Sequence, residues 1–187
     1  MEGFGNAKTV RNDNSSRFGK YVLMYFGIHE DKVFGARIKN YLLEKSRVVN
    51  VEPNERGYHI FYFLLGGCDL GTLKDLGLTK PDGKAMVWQD FKYLDKGGVR
   101  AEDAQAEFAE VLQTMNEMKF TEEEIRAVWR CVAAILHLGQ LDFIKNSFDD
   151  EQSPSKPGKI KNEDTARLIA ILLGFENPDS LIEVLLQ

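Results

Sequence analysis

The stretch that most constrains the fold is residues 121–139, TEEEIRAVWRCVAAILHLG. Thr121 followed three positions later by Glu124 is a capping box, in which each side chain accepts a hydrogen bond from a backbone N–H at the start of a helix. Gly139 is a stop signal, so we predict a helix over residues 121–138. Large apolar residues recur inside it at intervals of three and four, the spacing that lines one helical face: Ile125, Val128, Trp129, Val132, Ile135 and Leu136.

Two other patterns come earlier in the chain. Residues 20–26 and 33–41 are rich in β-branched and aromatic side chains and are separated by a glycine and charged residues, which predicts a β-hairpin. Apolar residues at helical spacing fill residues 58–65 and predict a buried helix that stops at Gly66 and Gly67. Strands followed by helices indicate an α+β fold that is mainly helical.

Further helices are predicted toward the end of the chain. Residues 104–118 carry apolar side chains at helical spacing, and another helix should run from about Asn162 to Gly174. A last helix opens with Asn177 as its cap and Pro178 at its first position. Because the apolar stripe of that helix has nothing downstream to cover it, we expect the chain to be a fragment of a larger domain.

Two segments have the composition of surface loops. Residues 80–98 are rich in turn-forming residues, and residues 146–160 combine serine, proline, glycine and mixed charge with few apolar side chains. His59, His137 and Cys131 lie in apolar helical segments, where isolated residues of these types usually pack in the core.

Composition excludes several classes of function. The chain has 24 basic and 29 acidic residues spread along its length, a net charge of −5, and therefore lacks the basic field that holds nucleic acid. Cys68 and Cys131 are far apart, and the histidines are scattered, which argues against a disulfide scaffold and a histidine–cysteine metal site. Neither a signal peptide nor an apolar run of about 18 residues is present, so we expect a cytoplasmic protein without membrane insertion.

The stretch NDNSSRFGKY, residues 12–21, is almost entirely polar until a strand begins. Asparagine, aspartate and serine favour turns, so one interpretation is a solvated loop. The other is a cradle for phosphate and magnesium, because backbone N–H groups bind phosphate oxygens and a serine hydroxyl is a hard ligand for Mg²⁺. Gly19-Lys20 is not the end of a Walker A motif, since Tyr21 stands where serine or threonine is required.

A longer match favours the second interpretation. GFGNAKTVRNDNSSRFGKY, residues 3–21, resembles the switch I region of the myosin motor domain, whose pattern is close to FGNAKTxxNxNSSRFGK. The similarity continues in the family's order with YLLEKSRVV at 41–49, ERGYHIFYFLLGG at 55–67 and AAILHLGQLDF at 133–143. It covers essentially the whole chain.

The resemblance implies a role for individual residues, with ATP as substrate and Mg²⁺ as cofactor. Asn12 would bond the nucleotide phosphates, and Ser16 would give its hydroxyl to Mg²⁺. Ser15 would sit beside the γ-phosphate and the attacking water. Arg17 would pair with a glutamate of switch II, outside this chain, when the pocket closes. Asn6 matches a family asparagine near the nucleotide.

The resemblance also implies an architecture and partners. The chain would be part of a P-loop NTPase-type motor: residues 1–20 the switch I segment, 20–41 a β-hairpin, and 42–187 the helices of the upper part of the actin-binding cleft, with residues 146–160 as a loop at its edge. Its partners would be the actin filament and the rest of the myosin heavy chain, within the actin cytoskeleton.

The family's other nucleotide-binding motifs are absent from this sequence. It contains neither a GESGAGKT-type P-loop nor a DIxGFE-type switch II. Two hypotheses therefore stay open: the chain is part of an ATP-hydrolysing motor, or it works alone as a non-catalytic interaction module derived from a myosin head. We do not expect the isolated chain to hydrolyse ATP.

Overall fold

The computed structural model describes residues 1–27, 30–96, 104–145 and 157–186. In chain order the elements are α1 (Glu2–Gly5), β1 (Asn6–Ala7), β2 (Ser15–Ser16), β3 (Gly19–Gly27), β4 (Glu30–Tyr41), α2 (Ser46–Val49), α3 (His59–Gly67), α4 (Leu70–Asp75), α5 (Lys92–Asp95), α6 (Ala104–Glu117), α7 (Glu122–Leu138), β5 (Phe143–Lys145), β6 (Pro157–Ile160), α8 (Glu163–Leu172) and α9 (Asp179–Leu185). A 3₁₀ turn, Trp88–Asp90, precedes α5. The predicted α+β, mainly helical class agrees with this order.

The core is built around α3, whose apolar residues leave almost no surface to solvent. Leu64 is fully buried, and α3 packs against α6, α1 and α7. The approach of α6 is close because α3 ends in two glycines: a Cβ on Gly67 would lie 2.4 Å from the Cβ of Phe108. The predicted buried helix and its glycine stop are confirmed, and the glycines also make room for the neighbouring helix.

The strongest sequence prediction, the helix over residues 121–138, is confirmed. Thr121 Oγ1 accepts the backbone N–H of Glu124 at 3.2 Å, and Glu124 Oε2 accepts the backbone N–H of Thr121 at 2.8 Å, which completes the capping box. The helix then packs against α8, where Arg130 donates to the carbonyls of Ile171 and Leu172 at the helix end.

The predicted β-hairpin is also confirmed, and it presents apolar side chains on both faces. Strands β3 and β4 pair antiparallel, with Val22 opposite Ile38. Val22, Met24 and Ile38 expose about half of their surface on one face, and Tyr21 does so on the other. An isolated two-stranded ribbon with two apolar faces is at best marginally stable in water.

Cys131 is exposed, so the prediction that it is a core residue is wrong. It follows Trp129 by two positions, which places it about 200° around the helix from that buried side chain. His59 and His137 are both buried, as predicted. The Nε2 atom of His137 lies 3.0 Å from the carbonyl oxygen of Leu76.

The predicted surface segment 80–98 is wrong in part. The turn at Pro81–Asp82–Gly83 is exposed, but Phe91 and Leu94 of the α5 region are fully buried in the core. The spacing of three residues between Phe91 and Leu94 was a sequence signal of this burial, but the surrounding turn residues obscured it. The last two residues of the segment, 97–98, lie outside the described residues.

Two predicted boundaries also change near the end of the chain. Residues 146–156 of the predicted loop lie outside the described residues, while Pro157–Ile160 forms strand β6 against β5. Helix α9 begins at Asp179, one residue later than predicted, although Asn177 does accept the backbone N–H of Asp179. Leu181 of α9 is buried, because α8 packs against this helix.

Among the described residues, no helix combines the length and the apolar character needed to cross a membrane.

Candidate functional site

The polar stretch is part of a loop that leaves strand β1 and folds back to pair with it through strand β2. Strands β1 and β2 pair antiparallel, so Asn6 lies opposite Ser16 and Ala7 opposite Ser15. Between them a tight turn is closed at Thr9, whose backbone N–H donates to the carbonyl of Asn12 at 2.8 Å. The pairing fixes the position of both serines relative to the core, because Asn6 and Ala7 are themselves buried.

The base of the loop is held by Asn14, a residue that the sequence analysis did not single out. Its Oδ1 accepts a hydrogen bond from Asn6 Nδ2 at 3.0 Å and lies 3.2 Å from His59 Nε2, while its Nδ2 donates to Glu2 Oε2 at 3.3 Å. Since Oδ1 can only accept, His59 carries its proton on Nε2. Burial of the imidazole, with a smaller effect of Arg56, lowers the pKa of His59 to about 4.

A second anchor is a network of ion pairs behind Arg17. Arg17 Nε donates to Glu44 Oε2 at 2.5 Å, and the same oxygen accepts from Arg47 Nε at 2.7 Å. Arg47, buried at 6% exposure, also bonds Glu55 Oε2 at 2.8 Å. Glu55 reaches back to the loop, where its Oε1 accepts the backbone N–H of Val10 at 3.3 Å.

These contacts affect the ionisation of the two carboxylates. The hydrogen bond from Arg17 lowers the pKa of Glu44 despite an opposing effect of partial burial, and Arg47 lowers it further. The hydrogen bond from Arg47 is the main reason that the pKa of Glu55 is also lowered. Both groups are therefore ionised at neutral pH, and two arginines face two carboxylates.

The loop presents polar groups that these anchors leave available. Asn12 and Ser16 are exposed, and Ser15 is half-buried. Within the described residues the Ser16 hydroxyl has no hydrogen-bond partner, whereas Ser15 Oγ accepts from Arg17 Nη1 at 3.2 Å. The next residue, Phe18, packs under α1, where a Cβ on Gly5 would lie 2.3 Å from its ring.

Of the residues that were selected from the sequence, the structure joins Ser15 and Arg17 by a side-chain hydrogen bond. Asn12 and Ser16 lie in the same loop and are exposed, while the side chain of Asn6 is directed inward to Asn14. The residues that support the loop were not predicted in that role from the sequence: Asn14, Glu44, Arg47, Glu55 and His59. The spacing of Glu44 and Arg47, three residues apart, was the one local signal for part of this network.

The similarity to known proteins includes this loop and extends over almost the whole chain. A family model described as "Myosin head (motor domain)" matches residues 1–186. The chain belongs to the myosin motor domain family. The resemblance noted in the sequence is thereby confirmed.

Individual myosins are similar over most of this chain. Unconventional myosin ID of Drosophila melanogaster is 40% identical over 171 residues, which are 91% of this chain and 16% of the relative. Myosin IE heavy chain of Dictyostelium discoideum is 45% identical over 146 residues, 76% of this chain and 14% of the relative. Unconventional myosin heavy chain 6 of Caenorhabditis elegans is 42% identical over 156 residues, 82% of this chain and 7% of the relative. The chain thus spans only a small part of these myosins.

Proposed function

We propose that this chain supplies the switch I loop and the upper part of the actin-binding cleft to a cytoplasmic motor that hydrolyses Mg-ATP and moves along actin filaments. The observation that carries the proposal is the loop of residues 8–17, which presents Asn12, Ser15, Ser16 and Arg17 on a firmly anchored base in a member of the myosin motor domain family. The binding and chemistry belong to the complete motor, of which this chain would be one part.

The residues on the loop fit a magnesium–nucleotide complex. Ser16 offers an exposed hydroxyl oxygen without a partner among the described residues, and oxygen is the ligand that Mg²⁺ prefers. Asn12 uses its Oδ1 within the loop, to accept the backbone N–H of Asn14 at 2.8 Å, so its amide N–H groups are left to donate to phosphate oxygens. When bound, Mg²⁺ would neutralise charge that develops on the phosphates.

The arrangement of Ser15 and Arg17 fits a role next to the reacting phosphate. A serine hydroxyl has one hydrogen to donate and two lone pairs to accept with. Arg17 Nη1 occupies one of those lone pairs, which leaves the hydrogen and the second lone pair for a phosphate oxygen and a water. Ser15 would then orient the attacking water, and the guanidinium would hold Ser15 in place.

The hairpin supports the proposal that the rest of the heavy chain packs against this segment. Apolar side chains on both faces of β3 and β4 need cover on both sides, and Tyr21, Val22, Met24 and Ile38 remain about half exposed among the described residues. This observation favours a part of a larger motor domain over an interaction module that works alone.

Single-turnover ATP hydrolysis in a complete motor domain that contains this segment tests the proposal. Arg17→Ala should leave ATP binding largely intact and slow hydrolysis by roughly two to three powers of ten, the effect of losing one member of a pair formed in the closed pocket. Arg11→Ala is the matched control, because it removes an exposed arginine from the same loop. Hydrolysis at the wild-type rate in Arg17→Ala would contradict the proposal.

A further inference from the structure

Arg17 and Glu44 are joined at two levels, although 27 residues separate them. The backbone N–H of Glu44 donates to the carbonyl of Arg17 at 2.9 Å, and Arg17 Nε donates to the carboxylate of Glu44 at 2.5 Å. The main-chain bond fixes the backbones of the two residues relative to each other, so their side chains lose little further conformational freedom when they meet. The loop is thus fastened to the segment that leads into α2.

Glu44 itself is held on its far side. Its carboxylate accepts from Arg47, and its backbone carbonyl accepts from the hydroxyl of Tyr58 at 2.8 Å. Arg47 is in turn fixed by Glu55 and by the backbone carbonyl of Arg56. A carboxylate held in this way is a rigid support for the arginine that it contacts.

The contact uses only one side of the Arg17 guanidinium. An arginine has five N–H donors, on Nε and on the two terminal nitrogens. Glu44 takes the donor on Nε, and Ser15 takes one on Nη1. No described residue accepts from Nη2, so the terminal edge of the guanidinium stays open to a second acceptor.

We infer that Glu44 is a positioning residue for the hydrolysis site: it holds Arg17 from the Nε side, so that the terminal nitrogens can bind a second carboxylate, from outside this chain, while Glu44 stays bound. Arg17 would then join two acidic groups at once instead of exchanging one for the other. The inference rests on the proposed function, because it assumes that Arg17 acts when the pocket closes. It assigns a role to a residue outside the switch loop.

The test compares Glu44→Gln with Glu55→Gln in a complete motor domain that contains this segment. Each variant weakens one ion pair of Arg47, but only Glu44→Gln also weakens the contact with Arg17. We expect Glu44→Gln to slow single-turnover hydrolysis about three- to tenfold, as for a partly exposed charged contact, with ATP binding changed less than twofold. Glu55→Gln, which leaves the direct contact between Arg17 and Glu44 in place, should slow hydrolysis less than Glu44→Gln does.

The double variant with Arg17→Ala separates positioning from a general loss of structure. If Glu44 acts through Arg17, Glu44→Gln should slow hydrolysis no further once Arg17 is alanine. An equal slowing in both backgrounds, or wild-type hydrolysis in Glu44→Gln, would overturn the inference while leaving the proposed function intact. Wild-type hydrolysis in Arg17→Ala would instead contradict the proposed function and, with it, the inference.

Arg17→Lys provides a test in which Glu44 and its contacts with Arg47 are unchanged. Lysine keeps the charge but has a single ammonium group, which lacks the separate Nε and terminal edges of a guanidinium. We expect hydrolysis almost as slow as in Arg17→Ala. A lysine variant with wild-type hydrolysis would show that two-sided binding is not needed and would overturn the inference even if Glu44→Gln fails to fold.

Discussion

His59 and Asn14 are joined by a hydrogen bond of 3.2 Å across 45 residues of sequence. The imidazole belongs to the buried helix α3 and stacks on Phe63, whereas the amide belongs to the base of the polar loop. The pair therefore connects the core directly to the loop. The pair also places the titratable side chain of His59 in buried surroundings, which disfavour the protonated imidazole.

The first prediction concerns the pH dependence of stability. The pKa of His59 is about 4 in the folded chain against 6.5 for an ordinary histidine, so the unfolded chain binds more protons between these values. Stability should therefore be lost as pH falls from 6.5 to 4, by about 3 kcal/mol in total from this residue. Arg56, Asp13 and Glu2 are the charged groups that act on it.

Chemical denaturation of the chain and of His59→Gln at a series of pH values measures this effect. Glutamine can donate a similar hydrogen bond but does not titrate, so its free energy of unfolding should fall less over the same range. His137, whose pKa burial also lowers, is present in both proteins and cancels in the comparison. Parallel pH profiles for the two proteins would refute the prediction.

The second prediction concerns the contact between α3 and α6. Gly67→Ala would place a Cβ 2.4 Å from the Cβ of Phe108 and 2.6 Å from the backbone oxygen of Ala104, so the helices must separate. We expect a loss of about 1–3 kcal/mol in the free energy of unfolding, typical of overpacking. Gly3→Ala is the control, because its nearest contact would be an ordinary 3.5 Å to Phe63. Equal stability of the two variants would show that α6 does not pack this closely.

The third prediction concerns the start of α7. Thr121→Ala removes the side chain that accepts the backbone N–H of Glu124, and we expect a loss of about 1 kcal/mol. Thr114→Ala, at an exposed position inside α6, should change stability by less than about 0.5 kcal/mol. Thermal or denaturant unfolding of both variants provides the measurement, and an unchanged Thr121→Ala protein would argue against the capping box.

The fourth prediction is that the chain by itself has no measurable ATPase activity. Phosphoryl transfer depends on several elements that position the phosphates together, and the sequence contains no P-loop motif. Phosphate release by the purified chain should equal the background with and without Mg²⁺. Magnesium-dependent activity that Ser16→Ala abolishes would contradict this prediction.

The sequence predicted the parts of the fold whose cause is local. The capping box of Thr121 and Glu124 and the periodicity behind it specify α7 within one residue. Phe91 and Leu94 were missed because their burial depends on packing by distant elements and because turn residues surround them. Cys131 was misplaced because it was assigned to the apolar stripe, although it lies about 200° around the helix from the buried Trp129.

The same distinction between local and distant causes applies to the residues of the candidate site. Residues of the loop itself, such as Ser15 and Ser16, were found because their types and order match a family pattern. Glu44 and His59 were missed, since their contacts with Arg17 and Asn14 cross 27 and 45 residues and leave no local signature. Side chains that support a site are seldom recognisable before the fold brings them to it.

The two apolar faces of the β3–β4 hairpin have a consequence for how such a chain is made. Until further structure covers it, the ribbon exposes Val22, Met24 and Phe34 together with unpaired strand edges, the surface on which nascent chains associate with one another. During synthesis, the β3–β4 hairpin would leave the ribosome as a two-stranded sheet with unpaired edges. Correct production then depends on how soon covering segments or chaperones reach the hairpin.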